Sequence, residues 1–285
     1  SRILEQYARV LTRVERDLLA YLSLFPRGVK VELLGWIVRS RRKVARIFLG
    51  LGDQQLVRHL ERLKALGLVF RYETDKQIVY SAHPFLRKFF GNLLGTKPES
   101  VHECVRARLA PSLEARPEIK PKDPAILDQY ELLIEQTLLA DRVREAFDLY
   151  CYGLGGYPNL GWVLGENTRG LRVLERFVPG DNFFLVASYL PLRNRSQLVT
   201  YLGLFAMNLG DLARARVAFS HSRRLDAAAS NWRDESASAM NLAEVELLAG
   251  RFRQALEYSE SAVSLAIEAK AEDDTKYSLA YRAIA

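Results

Sequence analysis

The first apolar stripe of the chain begins just after Thr12 and Glu15. These two residues have the spacing of a capping box, in which a hydroxyl and a carboxylate satisfy free N–H groups at the start of a helix. Apolar residues recur at near-helical spacing up to residue 24, where a Phe-Pro-Arg-Gly segment stops the pattern. A second run, residues 31–38, predicts another short helix with Trp36 turned inward.

A third helix is predicted between residues 54 and 66. Leucines at positions 56, 60, 63 and 66 recur on one helical face. Asp53 is a suitable N-cap, since its carboxylate can accept from the first free N–H groups, and Gly67 ends the helix.

The pattern changes to alternation after this helix. Residues 68–72 and 77–82 alternate as strands do, around a polar tip at 73–76. A further helix begins through the pair His83-Pro84. The order of helices followed by a two-stranded wing predicts a winged-helix domain over residues 1–97.

The second half has helical periodicity almost throughout and contains a repeat. Residues 202–225 and 242–265 match at a spacing of 40, each with a Leu-small pair, a Gly and then an Ala. This resembles tetratricopeptide repeats, which are usually about 34 residues long, and we expect the extra length to form a longer connection. A weaker copy over 131–150 has Asp141 in place of the Gly and keeps Ala146.

These patterns predict a mainly α fold: a winged helix with a small two-stranded wing, followed by an α-solenoid of helical hairpins. We expect a linker helix and a Pro-rich connection over residues 98–124 and the repeat array over 125–285. The helical pattern is unfinished at Ala285, so we expect a truncated array from a longer protein.

Charge is unevenly distributed along the chain. The formal net charge is +7, but residues 1–97 hold 19 Lys and Arg against 8 Asp and Glu, whereas the remainder is net acidic. The two cysteines suggest no disulfide framework, and no apolar run approaches the ~20 residues of a membrane helix. We therefore expect a cytoplasmic protein with no membrane partner.

Two basic surfaces are candidate contact sites. One is a basic run that could meet an acidic protein surface or nucleic acid, although such runs are commonly solvated faces; it comprises Arg39, Arg41, Arg42, Lys43 and Arg46. The other is the polar face of the third helix, which could present its side chains to base edges in a DNA groove; it comprises Gln54, Gln55, Arg58 and Arg62.

No residue set with the spacing of a catalytic or metal site is present. The four histidines are too scattered for metal ligation, and we expect His59 and His221 at the surface and His102 in a structural role. There is no GxxxxGK[ST] phosphate loop. We therefore expect no enzymatic activity, no catalytic residue and no metal in this chain.

Residues 12–90 resemble the winged-helix domain of STAND NTPases, the signal-transduction ATPases that include the NB-ARC and NACHT proteins. Two segments carry the resemblance. Residues 15–38 are similar to the apolar helix, "slFP" break and "Li..W" helix of NB-ARC proteins, and residues 80–90 are similar to the segment with the Met-His-Asp motif. His83 matches the motif histidine, and Pro84 replaces its aspartate.

The resemblance implies a nucleotide-sensing role for His83, by contact with the β-phosphate of ADP in a neighbouring NTPase module of the same polypeptide. It also implies a superhelical sensor that binds a protein trigger, ADP or ATP with Mg in the full-length protein, and oligomerisation only after activation. The family further suggests innate defence or regulated signalling.

Two other functions remain open from the sequence. The chain could be a transcription regulator whose winged helix binds DNA while the repeats receive a signal. It could also be a scaffold whose repeats bind a fixed partner without any link to nucleotide.

Overall fold

A computed structural model describes residues 2–39, 50–74, 77–94, 97–114, 120–178, 182 and 189–285. The described residues are mainly helical and separate into two compact units, Ser1–Ala110 and Pro111–Ala285. The two units meet between Ala110 and Pro111, inside the helix Pro98–Glu114. The sequence suggests the first boundary earlier, at residue 97.

The first unit combines helices with a small antiparallel sheet. Its elements are α1 (Arg2–Val10), α2 (Arg13–Ser23), β1 (Val29–Lys30), α3 (Val31–Arg39), α4 (Asp53–Ala65), β2 (Val69–Thr74), β3 (Gln77–Ala82) and α5 (Pro84–Gly91), and it includes the start of α6 (Pro98–Glu114). The sheet order is β1-β3-β2, with Val29 opposite Tyr80 and Val69 opposite Ala82. The sequence predicts β2 and β3 but not β1, because two residues show no alternation.

The ends of α2 and α4 test the capping predictions. The capping box at α2 is present: Glu15 N–H donates to the Thr12 hydroxyl, and Thr12 N–H donates to the Glu15 carboxylate at 2.9 Å. The prediction of Asp53 as N-cap is wrong by one residue. Gly52 is the N-cap, and its N–H donates to the side-chain oxygen of Gln55 at 3.1 Å.

One apolar core holds the first unit together. Three of the predicted leucines of α4 are fully buried, whereas Leu66 is partly exposed because α4 ends before it. The fully buried members of this core include Leu18, Leu19, Leu22, Leu34, Ile37, Leu56, Leu60, Leu63 and Phe90. Burying each such side chain contributes ~1.5–3 kcal/mol. The same core includes Ala82 at the end of β3 and Leu86 and Phe90 of α5, so it anchors both sides of the β3–α5 junction.

The second unit is helical, and four consecutive helices within it have the same length. It contains α7 (Pro124–Leu139), α8 (Val143–Asp148), two π-helical segments (Leu149–Gly153 and Pro158–Val163), α9 (Asn167–Leu174), α10 (Leu192–Asn208), α11 (Leu212–Ala228), α12 (Trp232–Leu248), α13 (Phe252–Glu268) and α14 (Glu272–Ile284). From α10 onward a helix begins every 20 residues, which accounts for the 40-residue repeat.

The extra length of the repeat lies in the helices. Each of the helices α10 to α13 has 17 residues, and three-residue loops join them. The expectation of a longer connection is therefore wrong. The hairpins remain tetratricopeptide-like, with fully buried alanines such as Ala215 and Ala255 where the second helix approaches the first.

The loops end each helix in the same way. The middle loop residue has a positive φ: +81° at Gly210, 52° at Ser230, +72° at Gly250 and 53° at Lys270. The N–H of the next residue then bonds back into the helix, as from Asp211 to the Ala206 carbonyl at 2.9 Å. The predicted turn at Asp141 follows the same rule, with φ 61°.

We predict opposite effects from exchanging two of these loop residues. Ser230→Gly should stabilise the second unit by ~0.5–1 kcal/mol, because glycine adopts a positive φ without the steric cost of a side chain. Gly210→Ser should destabilise it by a similar amount. Denaturant unfolding followed by circular dichroism measures both, and a lower stability for Ser230→Gly would contradict the assigned loop geometry.

Candidate functional site

His83 lies at the junction of β3 and α5, on the surface of the first unit. It is the N-cap of α5: its Nδ1 accepts from the Phe85 N–H at 3.4 Å. The backbone N–H of His83 donates to the Leu68 carbonyl at 3.0 Å. Arg87 fixes the same junction by donating to the Ala82 carbonyl and the Ser81 hydroxyl, both at 3.1 Å.

Two phenyl rings flank the imidazole. The ring centroid of Phe70 lies 5.2 Å from that of His83, and the Phe85 ring stacks on the imidazole with its centroid at 5.5 Å. Phe70 is 50% exposed and Phe85 is 85% exposed. His83 is only half-buried, so its ring is at the surface and can be reached by a docking partner.

The contacts of His83 define the group that it can offer to a ligand. A neutral imidazole that accepts through Nδ1 carries its proton on Nε2. No residue that the structure describes accepts a hydrogen bond from this Nε2. The site can therefore donate one hydrogen bond to an anionic oxygen without losing the helix cap.

The other histidines have structural surroundings. His59 Nδ1 lies 3.4 Å from the Glu15 carboxylate, and the His102 ring packs edge-on against Phe25. His221 is buried, so the expectation of a surface position is wrong for this residue; burial lowers its pKa, as do Arg195 and Arg224. The part of the chain that the structure describes contains no cluster of three potential metal ligands.

The polar face of α4 is partly engaged inside the first unit. Arg62 donates to the buried Glu15 carboxylate at 2.9 Å, and Gln55 accepts from the backbone at the helix start. Gln54 and Arg58 are exposed. All four predicted DNA-contacting residues are exposed, and two of them, Gln55 and Arg62, also make hydrogen bonds within the first unit.

Glu15 is a buried carboxylate that sequence analysis identifies only as a cap. Burial alone would raise its pKa, but hydrogen bonds from Thr12 and His59 and the charge of Arg62 outweigh burial, and the pKa is lowered. Glu15 therefore joins α2 to α4, because both His59 and Arg62 belong to α4.

Of the predicted basic run, only Arg39 belongs to the described residues. Arg39 is the last residue of α3, whereas Arg41, Arg42, Lys43 and Arg46 lie outside the described residues. No helix in the described ranges is long and apolar enough to cross a membrane.

Successive hairpins of the second unit are joined by ion pairs that recur with the repeat. Arg193 on α10 lies 3.8 Å from Asp234 on α12, and Arg233 on α12 lies 2.9 Å from Asp274 on α14. Both pairs join residues 41 positions apart. The sequence repeat contains this signal, but only the stacking of the hairpins shows that the residues meet.

These features define the second unit as a tetratricopeptide-like helical repeat array, on the evidence of its own helix lengths, loops and packing. No protein-family model matches the chain, and no curated protein matches it.

Solved structures with detectable similarity include three that contrast in coverage. A STAND protein with a tetratricopeptide repeat sensor from Pyrococcus horikoshii is 14% identical over 98% of this chain and 48% of its own, with a TM-score of 0.31. A Podosopora anserina protein of the kinesin light chain type, with nearly identical TPR-like repeats, is 15% identical over 66% of this chain and 94% of its own (TM-score 0.32).

The third is BtubC from P. vanneervenii, which is 17% identical over 92% of this chain and 94% of its own, with a TM-score of 0.26. The present chain thus spans about half the length of the STAND protein, at 48%.

We predict that Glu15→Ala destabilises the first unit by ~2 kcal/mol, because charge-assisted bonds and a helix cap are lost together. The lowered pKa sets the pH dependence: the contribution of Glu15 is complete above its ordinary value of 4.5 and is lost as the pH falls through the lowered value. Denaturant titration at several pH values measures this. The matched control is the exposed Glu5 of α1, and equal losses from Glu5→Ala and Glu15→Ala would contradict the assignment.

Proposed function

We propose that this chain is the regulatory and sensor region of a STAND-class nucleotide switch. In this proposal the first unit is a winged helix that holds an ADP-loaded NTPase module closed, and the array binds a protein trigger. The observation that carries the proposal is the position of His83, a surface histidine at a helix N-terminus with its Nε2 proton directed to no recorded partner.

The element order of the first unit supports its role as a winged helix. Helices α2, α3 and α4 precede the antiparallel β2–β3 pair, and β1 adds the short third strand. His83 follows β3 directly, so the sheet and α5 together determine where its ring lies.

A phosphate oxygen is a suitable acceptor for the His83 Nε2 proton. The site also lies at the N-terminus of α5, where the partial positive charge of the helix end favours an anion. A hydrogen bond to a charged group contributes ~1.5–3 kcal/mol, which corresponds to about a tenfold to hundredfold shift between the closed and open states. One such contact is enough to regulate a switch.

The array supplies the second half of the switch. Stacked hairpins form an extended concave surface, and such repeats generally bind proteins. A trigger opens the switch only if it binds the open state more tightly than the closed state. We further propose that the chain itself is not catalytic, that ADP or ATP with Mg binds the NTPase module of the same polypeptide, that the protein is cytoplasmic, and that the activated full-length protein oligomerises.

We predict that His83→Ala and His83→Ser both accelerate ADP release from the full-length protein by about tenfold to hundredfold, because each removes the phosphate contact. Release of a fluorescent ADP analogue, followed in stopped flow, measures the rate. The two variants differ in how well they cap α5, since serine is a favoured N-cap and alanine is not.

The serine variant makes this experiment decisive. Normal ADP retention in His83→Ser, with loss only in His83→Ala, would show that His83 acts solely as a helix cap and would contradict the proposal. Unchanged retention in both variants would contradict it as well. His59→Ala is the matched control, because His59 contacts Glu15 rather than the α5 terminus and should leave ADP release unchanged.

DNA binding is the second candidate function. It is favoured by the exposed Gln54 and Arg58 on α4 and by the excess of basic residues in 1–97. If α4 reads bases, Gln54→Ala and Arg58→Ala should each weaken binding to a selected duplex by ~1–3 kcal/mol while leaving binding to random duplex little changed.

Fluorescence anisotropy of the 285-residue chain with both duplexes at two salt concentrations distinguishes these cases. Binding that is weak, unselective and equally salt-sensitive for both duplexes would reflect charge alone and would contradict a DNA-reading role. A protein that binds neither ADP nor DNA in these assays would instead be a repeat scaffold.

A further inference from the structure

The buried carboxyl of Asp226 lies within a cluster of hydroxyl groups in the array. Asp226 belongs to α11 and is 1% exposed. Its Oδ2 accepts from Ser238 of α12 at 3.0 Å and from Ser222 of its own helix at 3.4 Å. No hydrogen bond reaches its Oδ1 from any residue that the structure describes.

The hydroxyl cluster joins three helices. Ser222 Oγ lies 2.9 Å from Ser196 Oγ and 2.5 Å from Thr200 Oγ1, both on α10. It also lies 3.0 Å from Ser238 Oγ on α12. Asp226 is therefore at the place where the hairpin α10–α11 packs on the next hairpin, α12–α13.

Another buried acid, Glu246, occupies the equivalent position one helix later and is paired differently. Glu246 lies 20 residues after Asp226, and the backbone carbonyls of both accept the N–H that closes the following loop. The Glu246 carboxylate lies 2.8 Å from Arg216 Nε and also bonds Arg251. Asp226 has hydroxyl partners instead.

No cationic side chain among the residues that the structure describes forms an ion pair with Asp226. Asp234 on α12 adds a repulsive negative charge and itself lies beside Arg193 of α10. Glu235 on α12 is bound by Arg223 of α11. The buried His221 of α11 faces Arg195 and Arg224.

We propose that Asp226 is a proton-operated joint between successive hairpins, which packs more tightly when its carboxyl carries a proton. An ionised carboxylate without a cationic partner is costly to bury, whereas a neutral carboxyl can donate to a neighbouring serine hydroxyl. Acidification therefore stiffens the array at this joint, and neutral pH loosens it.

The electrostatics give the pH interval in which the joint acts. Burial raises the pKa of Asp226 from its ordinary 3.8 to about 6, and Asp234 raises it further, against the hydroxyl bonds that lower it. The packed state of the hairpins is fully stabilised when the pH is below the ordinary pKa of 3.8, and this stabilisation is lost as the pH rises through the raised pKa of about 6. The equilibrium between packed and opened hairpins changes by on the order of 100-fold across this interval.

Amide hydrogen exchange on the 285-residue chain tests the proposal locally. Protection of α10, α11 and α12, corrected for intrinsic exchange, should fall about 20-fold between about pH 4.5 and about pH 7.5 in the unmodified chain. In Asp226→Asn this fall should be absent. Equal pH dependence in both chains would overturn the proposal.

Two further variants keep the test decisive. Glu246→Gln should lower protection at about pH 7.5, the opposite of Asp226→Asn, because it removes ion pairs with two arginines. Ser238→Ala removes a hydrogen bond that favours the ionised carboxylate of Asp226. The proposal therefore predicts that the loss of protection shifts to higher pH in this variant. If Asp226 does not titrate, the variant should lower protection equally at every pH. An unshifted transition in Ser238→Ala would contradict the proposal, even if Asp226→Asn failed to fold.

Discussion

The contacts of His83 organise the surface on which the functional account depends. Its backbone N–H donates to the Leu68 carbonyl beside the β2–β3 pair, its Nδ1 caps α5, and its ring contacts those of Phe70 and Phe85. Because the Phe85 N–H occupies Nδ1, a neutral His83 ring carries its proton at Nε2. The same interactions that build the junction therefore leave one donor available to a ligand.

A backbone constraint has the corresponding role in the array. A single residue with positive φ, followed by an N–H that bonds back to the helix, ends each helix after the same length. Equal helices stack in register, which brings Arg193 to Asp234 and Arg233 to Asp274. The same register brings the Asp226 carboxyl to hydroxyls from two other helices, so a regular repeat contains one irregular and ionisable joint.

The sequence predicted much of this arrangement where a signal is local. The capping box at Thr12, the two long strands and the 40-residue repeat all have short-range patterns, and the structure contains them. β1 has only two residues and is defined by pairing with β3, so no local pattern announces it. Ser230 and Lys270 adopt the positive φ that usually indicates glycine. Because no glycine marks these two helix ends, the sequence did not predict that the helices are equal in length.

For the candidate site, the family resemblance suggested His83, and the cap from Nδ1 to the Phe85 N–H is local, but the contact of its ring with Phe70 of β2 is tertiary and has no sequence signal. The direct test is nitrogen NMR of the full-length protein labelled at histidine, with and without ADP. The account predicts that ADP shifts the His83 Nε2 signal while Nδ1 keeps the signature of an acceptor. A His83 Nε2 signal that is identical in the ADP-loaded and nucleotide-free protein would contradict it.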